Sequence, residues 1–272
     1  MEATVTPPES GLLNILMIGD IVGEPGRKAV FRHLDRLRDE YRLDLVIGNG
    51  ENAAGGFGIT HEVARELYRM GLDVITTGNH AWDKPEALDL FREEKRLLRP
   101  ANYPEGTPGS GSGLFTTASG HKVGVVQVMG RVFMHALDCP FRAATREVNR
   151  MRRETPVVIV DVHAEASSEK MAMGWHLDGI ASSVSGSHTH VQTADARLLP
   201  GGTGYLTDVG MTGPMDGVIG MRKDAVLARF LSGMPKRLAV ASGPAVFSGA
   251  VFSIEPASGR CQRVERVYLP DV

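Results

Sequence analysis

Only two of the 272 residues are cysteines, Cys139 and Cys261, and they stand far apart. That excludes a disulfide framework and leaves two reduced thiols, as expected of a cytoplasmic protein. No apolar run approaches the length of a membrane span. The first residues also lack a cationic start followed by an apolar stretch, so no signal peptide is expected. Charge of one sign is missing as well. The chain carries 30 Lys and Arg against 32 Asp and Glu, for a net charge of −2, and the basic residues are spread along it. A duplex nucleic-acid partner needs a basic stripe and is therefore not expected. Several motifs are absent. Gly19, Gly23 and Gly26 follow a strand but lack the Gly-x-Gly of a dinucleotide fingerprint, and Asp20 would sit where a pyrophosphate should. There is no P-loop, no Gly-x-Ser-x-Gly elbow and no His-Glu-x-x-His.

What is present is ample core material, 42% hydrophobic residues, in a length that suits one large α/β domain. Residues 1–13, with Pro7, Pro8, Glu9 and Ser10, read as a frayed leader, and residues 14–272 as the domain. Ile15 to Ile18 is a short apolar strand, followed by a helical pattern from Pro25 to Tyr41 with Val30, Leu34 and Leu37 on its inner face. Leu45 to Ile47 is the next strand. Thr60 caps a helix that runs to Met70, with Gly71 beyond its end. Val74 to Thr77 is a third strand, and Asp83, Pro85 and Glu86 read as another helix start. This alternation predicts parallel pairing with right-handed crossovers. Beyond it, Lys122–Met129, Pro156–Val160, Ile180–Ser185, Tyr205–Val209, Ala245–Ile254 and Val264–Leu269 read as strands with few long helices between them. A more antiparallel second half, and two sheets packed together, are expected. Residues 210–235, rich in Gly and Met, are a candidate cap.

Five short clusters, each closing an apolar run, carry the chemistry: Gly19-Asp20, Gly50-Glu51-Asn52, Gly78-Asn79-His80, Asp161-Val162-His163 and Gly186-Ser187-His188-Thr189-His190. In open α/β sheets the strand ends hold the ligand crevice. Taken singly, Asp20 could cap a helix, Asn79 could be a turn residue, His80 an exposed polar residue and His163 a satisfied core histidine. Glu51 between Gly50 and Asn52 has little structural purpose without a cation or partner. In extended backbone His188 and His190 would point to the same side. Together these residues are what a pair of metal ions requires: about four to six hard donors each, with two ions about 3.5–4 Å apart sharing a carboxylate. The other five histidines, His33, His61, His121, His135 and His176, read as surface or packing residues.

The order Gly-Asp, acidic cluster, Gly-Asn-His, single His and Gly-x-His-x-His resembles that of the calcineurin-like metallophosphoesterases. Two substitutions depart from the usual pattern. Val22 stands where an Asp-x-His motif would place its histidine, and Glu51 stands where the bridging residue is usually Asp. Both are similar to the YmdB-like branch. So are Gly48 to Ala53, Asp161 to Ala166 and Thr207 to Pro214. The resemblance implies a four-layer α/β/β/α sandwich, two metal ions and hydrolysis of phosphodiesters, 2′,3′-cyclic nucleotides in particular. It also implies a ligand set. Asp20, Asn52 and His190 would hold the first metal and Asn79, His163 and His188 the second, with Glu51 bridging. Asn52, replacing the missing histidine, suits iron or manganese at least as well as zinc, with magnesium a further alternative.

The expected reaction is attack of a metal-bound hydroxide on phosphorus, with His80 protonating the departing oxygen as general acid. The alternatives are a phosphomonoesterase and a regulatory or binding protein on the same scaffold. The expected partner is a small phosphoester, without membrane, and a homo-oligomer is compatible with the sequence.

Overall fold

A computed structural model describes residues 11–271. The first ten residues of the expected leader lie outside the described residues; Leu13 already belongs to the first strand. The elements in order are β1 Leu13–Ile18, β2 Asp20–Ile21, α1 Gly23–Tyr41, β3 Leu43–Asn49, α2 His61–Arg69, β4 Val74–Thr76, α3 Ala87–Glu93 and β5 Leu97–Leu98. Then follow β6 Ser112–Thr116, β7 Lys122–Met129, α4 Pro140–Met151, β8 Val158–His163, α5 Ser167–His176, β9 Ser183–Ser187, β10 Arg197–Leu198 and β11 Gly204–Leu206. The last are β12 Met211–Pro214, α6 Lys223–Ser232, β13 Ala245–Ile254 and β14 Cys261–Pro270.

One sheet runs in the order β2-β12-β13-β1-β3-β4-β5, with β14 pairing β13; the other runs β10-β11-β9-β8-β7-β6. Strand alternation divides the core into three apolar layers. Leu16 and Ile18 of β1 face α1, α2 and α3 with Leu34, Leu67 and Phe91. Leu13, Ile15 and Met17, one residue out of phase, face the second sheet and meet Val123, Val125 and Ile159. Val158, Val160 and Val162 of β8 turn the other way, onto Ala144 and Val148 of α4 and Met173 of α5. Burying each such aliphatic side chain is worth about 1.5–3 kcal/mol. Period two then puts Asp161 and His163 on the same face as Ile159, between the sheets.

Helix signals hold where caps are explicit. Thr60 Oγ1 accepts from the Val63 amide at 3.2 Å, and Gly71 takes φ 105° just beyond α2. The second half departs from expectation. Strands β7, β8, β9 and β11 pair in parallel, and antiparallel pairing in that sheet is confined to its edges, β6 and β10. The crossovers are α4 and α5. The long strands read as antiparallel, β13 and β14, join the first sheet instead. Both helices were obscured by their composition: α4 buries small residues, Ala143 and Ala144, beside a run of arginines, and α5 opens on Ser-Ser. Likewise α3 starts at Ala87, because the Asp83 carboxylate is turned to His80 and caps nothing.

Candidate metal centre

All five clusters meet at the C-terminal ends of parallel strands. Asp20 follows β1, where its amide donates to the Gly210 carbonyl at 3.0 Å. That approach requires Gly19, since a Cβ there would overlap the Gly210 carbonyl. Glu51 follows β3, with its amide held by Asn49 Oδ1 at 3.0 Å in an Asx-type turn. Asn79 follows β4, His163 ends β8, and the His188-Thr189-His190 turn follows β9.

Glu51 sits at the middle and is fully buried. Its Oε1 lies 3.1 Å from His163 Nε2 and 3.3 Å from Asn52 Nδ2, and its Oε2 accepts from the His80 amide at 2.9 Å. His163 Nε2 also faces Asn79 Oδ1 at 2.9 Å and His188 Nδ1 at 3.1 Å. On the other side Asn52 Nδ2 reaches His190 Nε2 at 3.3 Å, and His190 Nε2 lies 3.9 Å from Asp20 Oδ1. The ring of His80 is close by, with Nδ1 at 2.7 Å from Asp83 Oδ2 and its edge against Phe57. The eight residues read from the sequence therefore form one connected group. Gly78 gives them room, because a Cβ there would overlap the His163 ring and Glu51 Oε2. Gly78→Ala is expected to destabilise the fold by about 1–3 kcal/mol, measured by denaturant unfolding. An unchanged unfolding midpoint would show that the ring moves aside freely.

His188 and His190 do not converge in the way extended backbone would place them. Strand β9 ends at Ser187, and the two histidines have φ 94° and 64°, a left-handed turn costing about 1–3 kcal/mol for each non-glycine residue. The turn aims them apart. His188 points to His163 and Glu51, and His190 points to Asn52 and Asp20, so each imidazole serves its own side of Glu51.

The electrostatics are those of a site short of positive charge. Burial pushes the Glu51 carboxyl up, but the charge and hydrogen bond of His163, with the His80 amide, outweigh it and hold the group at about 2. Burial works to lower His163, yet Glu51 first, then Asp20 and Asp161, raise it to about 9. Burial lowers His188 to about 3, helped by the charge on His163, so its imidazole is neutral and free to act as a ligand. Asp20 is raised by burial, and its Oδ1 is a buried carboxylate oxygen with no hydrogen-bond partner. Ligand atoms of Glu51, His163 and His188 lie within 4.8 Å of one another. A partnerless buried oxygen beside imidazoles and carboxylates, one of them keeping a proton, fits a cation in place of that proton.

The sequence reading gave the supporting groups no role, although Asp161 stood in one of its clusters. Ser187 Oγ donates to Asp161 Oδ1 at 2.8 Å and faces His163 Nδ1 at 3.0 Å, so Nδ1–H donates to it and Nε2 is turned inward. Thr76 Oγ1 donates to the other Asp161 oxygen at 2.6 Å, and burial lifts Asp161 to about 6. Glu165 Oε2 lies 3.1 Å from His188 Nε2, leaving Nδ1 as the inward nitrogen. Asp161 had a signal, since it stands two residues before His163 on a strand and must share its face. Glu165 and Asp83 had none beyond nearness in sequence.

A cavity of about 680 Å³ opens beside His190, lined by Val191, Met211, Met215 and Tyr268 among others. A second, of about 720 Å³, lies by α4 against Arg142, Arg146 and Arg150, and none of the clustered residues lines it.

A sequence model of the family described as "YmdB-like protein" matches residues 16–267. The chain belongs to the YmdB-like family. It is 46% identical over 259 residues to a Bacillus subtilis (strain 168) protein named "2′,3′-cyclic-nucleotide 2′-phosphodiesterase", covering 95% of this chain and 98% of that one. Among solved structures, a Thermus thermophilus protein of 46% identity superposes with TM-score 0.90, over 96% of this chain and all of that one (100%). A Mycoplasma pneumoniae protein described as a novel phosphatase, 30% identical, gives TM-score 0.89 over 95% of this chain and 94% of that one. No helix of the described residues is long and apolar enough to cross a membrane.

Proposed function

We propose that this YmdB-like chain is a cytoplasmic, metal-dependent phosphoric ester hydrolase acting on small phosphodiesters, with 2′,3′-cyclic nucleotides as its substrates. The observation that carries the reading is the convergence of Glu51, His163 and His188 at the ends of parallel strands, with the partnerless Asp20 Oδ1 3.9 Å from both His163 Nδ1 and His190 Nε2. The name of the Bacillus subtilis relative supports the substrate class. Three separate apolar layers support a four-layer α/β/β/α sandwich, with residues 210–235 as a cap: the Ile219 carbonyl lies 2.9 Å from His190 Nδ1.

In this reading Asp20, Asn52 and His190 would hold one ion and Asn79, His163 and His188 the other, with Glu51 serving both. Imidazole with oxygen donors and no thiolate suits iron or manganese. When bound, such ions supply Lewis-acid charge and lower the pKa of water to roughly 7. The chain's own residues do the rest. The neutral His188 and the buried carboxylates would set where the ions sit. Asp83 Oδ2 accepts from His80 Nδ1–H, so the proton that His80 delivers to the departing oxygen is carried on Nε2. In a cyclic diester that oxygen stays tethered to the sugar, and prompt protonation prevents reclosure. The apolar walls and the Tyr268 ring beside His190 suit a nucleobase.

Chelation should abolish hydrolysis, and added manganese or iron(II) should restore it. At matched concentrations 2′,3′-cyclic AMP should turn over faster than 3′,5′-cyclic AMP, AMP or duplex nucleic acid. Full activity in protein shown by elemental analysis to be metal-free would end the metal reading. Clear preference for AMP or the 3′,5′ isomer would end the substrate reading alone.

A further inference from the structure

Behind the His188-Thr189-His190 turn lies an ion pair that takes no part in the group described above. Lys170 of α5 and Asp208, two residues past β11, are 1% and 0% exposed, and Lys170 Nζ donates to Asp208 Oδ2 at 2.6 Å. Such a pair in a core is poor evidence of stabilisation, since apolar residues of similar volume often serve as well or better. Its contacts show what it does. Asp208 Oδ2 also accepts from the Thr189 amide at 3.2 Å and from Thr189 Oγ1 at 2.7 Å. Asp208 Oδ1 accepts from the Gly210 amide at 2.8 Å. The Gly210 carbonyl in turn takes the Asp20 amide, and Asp20 Oδ2 accepts from the His188 amide at 3.0 Å. One carboxylate thus grips the middle residue of the left-handed turn and the strand segment that seats Asp20. Lys170 reaches it by passing under Gly186, where a Cβ would overlap both its methylenes and the Thr207 carbonyl.

We infer that Asp208, neutralised by Lys170, is a positioning residue that holds His188, His190 and Asp20 in their ligand geometry. The inference rests on the metal-holding reading of those three residues. Two histidines at positive φ do not stay there by local preference, and the donors of Thr189 fix the turn only if a strong acceptor lies beneath it. An asparagine cannot replace that acceptor. Asp208 uses both oxygens, whereas Asn offers one oxygen and an NH₂ that would face either Thr189 or the Gly210 amide.

Three variants test this. Asp208→Asn alone leaves the Lys170 charge buried without its partner and can fail to fold. Lys170→Met/Asp208→Asn removes both charges at constant shape. Thr189→Val removes only the hydroxyl donor and keeps the ion pair. Manganese affinity is read by calorimetric titration, and hydrogen exchange of residues 186–192 is read on the metal-free proteins. The double variant should fold, lose tenfold or more in manganese affinity, and exchange faster in the turn than in β8 or β13. Thr189→Val should show the same pattern more weakly. Parental affinity and parental exchange in the double variant would overturn the inference. So would faster exchange spread evenly over both sheets, which marks a general packing role. If the parent binds no manganese, the metal reading fails, and the exchange of the turn still decides whether Asp208 holds it.

Discussion

Replacing Glu51 with alanine is expected to lower kcat/KM by on the order of a thousandfold or more, about 4 kcal/mol of transition-state stabilisation. The reason is its position. Glu51 Oε1 faces both His163 and Asn52, which belong to opposite halves of the site, and its Oε2 holds the His80 amide. On the proposed reading, a single truncation would loosen both ligand groups and the backbone of His80. Asp20 touches less. Its Oδ1 has no hydrogen-bond partner and its Oδ2 holds only the His188 main-chain amide, so Asp20→Ala should remove a side chain from one group and loosen only one backbone contact of the other. Elemental analysis should find the parent with about two ions per chain, Asp20→Ala with fewer, and Glu51→Ala with the least. An alanine at 51 that retains both ions would remove Glu51 from the centre of the site.

The gathering of these residues was legible because strand ends are legible. Ile15–Ile18, Leu45–Ile47 and Val74–Thr77 are apolar runs that stop at Gly-Asp, Asn-Gly-Glu-Asn and Gly-Asn-His, and a parallel sheet necessarily gathers such ends along one edge. His163 was legible for the same reason. What escaped the sequence depends on contacts between distant residues. Nothing local marks Lys170 and Asp208 as partners 38 residues apart. Period two brought His188 and His190 into one pocket by the wrong route: the strand stops at Ser187, and buried acceptors hold the turn that follows.

The fold divides along the same line. Helix α1 was readable from its large inner residues, such as Leu34 and Leu37, and α2 from its Thr60 cap. Helices α4 and α5 were not, because small or polar residues, Ala143 and Ala144 in one and Glu169, Lys170 and Gly174 in the other, fill much of their inner faces, and without these helices the second sheet reads as antiparallel. Its parallel core matters for function, because only parallel pairing puts the ends of β8 and β9 beside those of β1, β3 and β4.

His80→Ala is expected to lower kcat on 2′,3′-cyclic AMP by about 10²–10⁴-fold while the protein keeps its metal content. Among the described residues the imidazole makes no side-chain hydrogen bond to either ligand group. Its Nδ1 is engaged by Asp83 and its ring edge by Phe57; only its main-chain amide reaches Glu51, and alanine retains that amide. The substitution should therefore remove a proton donor and leave the ligand set standing. Leaving-group dependence separates this from a binding role. A ribose oxygen departs as a poor leaving group and needs its proton in the transition state, whereas a nitrophenolate does not. On a bis-nitrophenyl phosphate the loss should shrink to a small factor. Asp83→Asn should show the same dependence in weaker form, because the imidazole keeps its place but loses the carboxylate that accepts from Nδ1–H and orients the ring. Elemental analysis alongside the two substrates decides the assignment. Equal losses on both substrates, or loss of metal from His80→Ala, would place His80 among the ligands and leave the proton to another group.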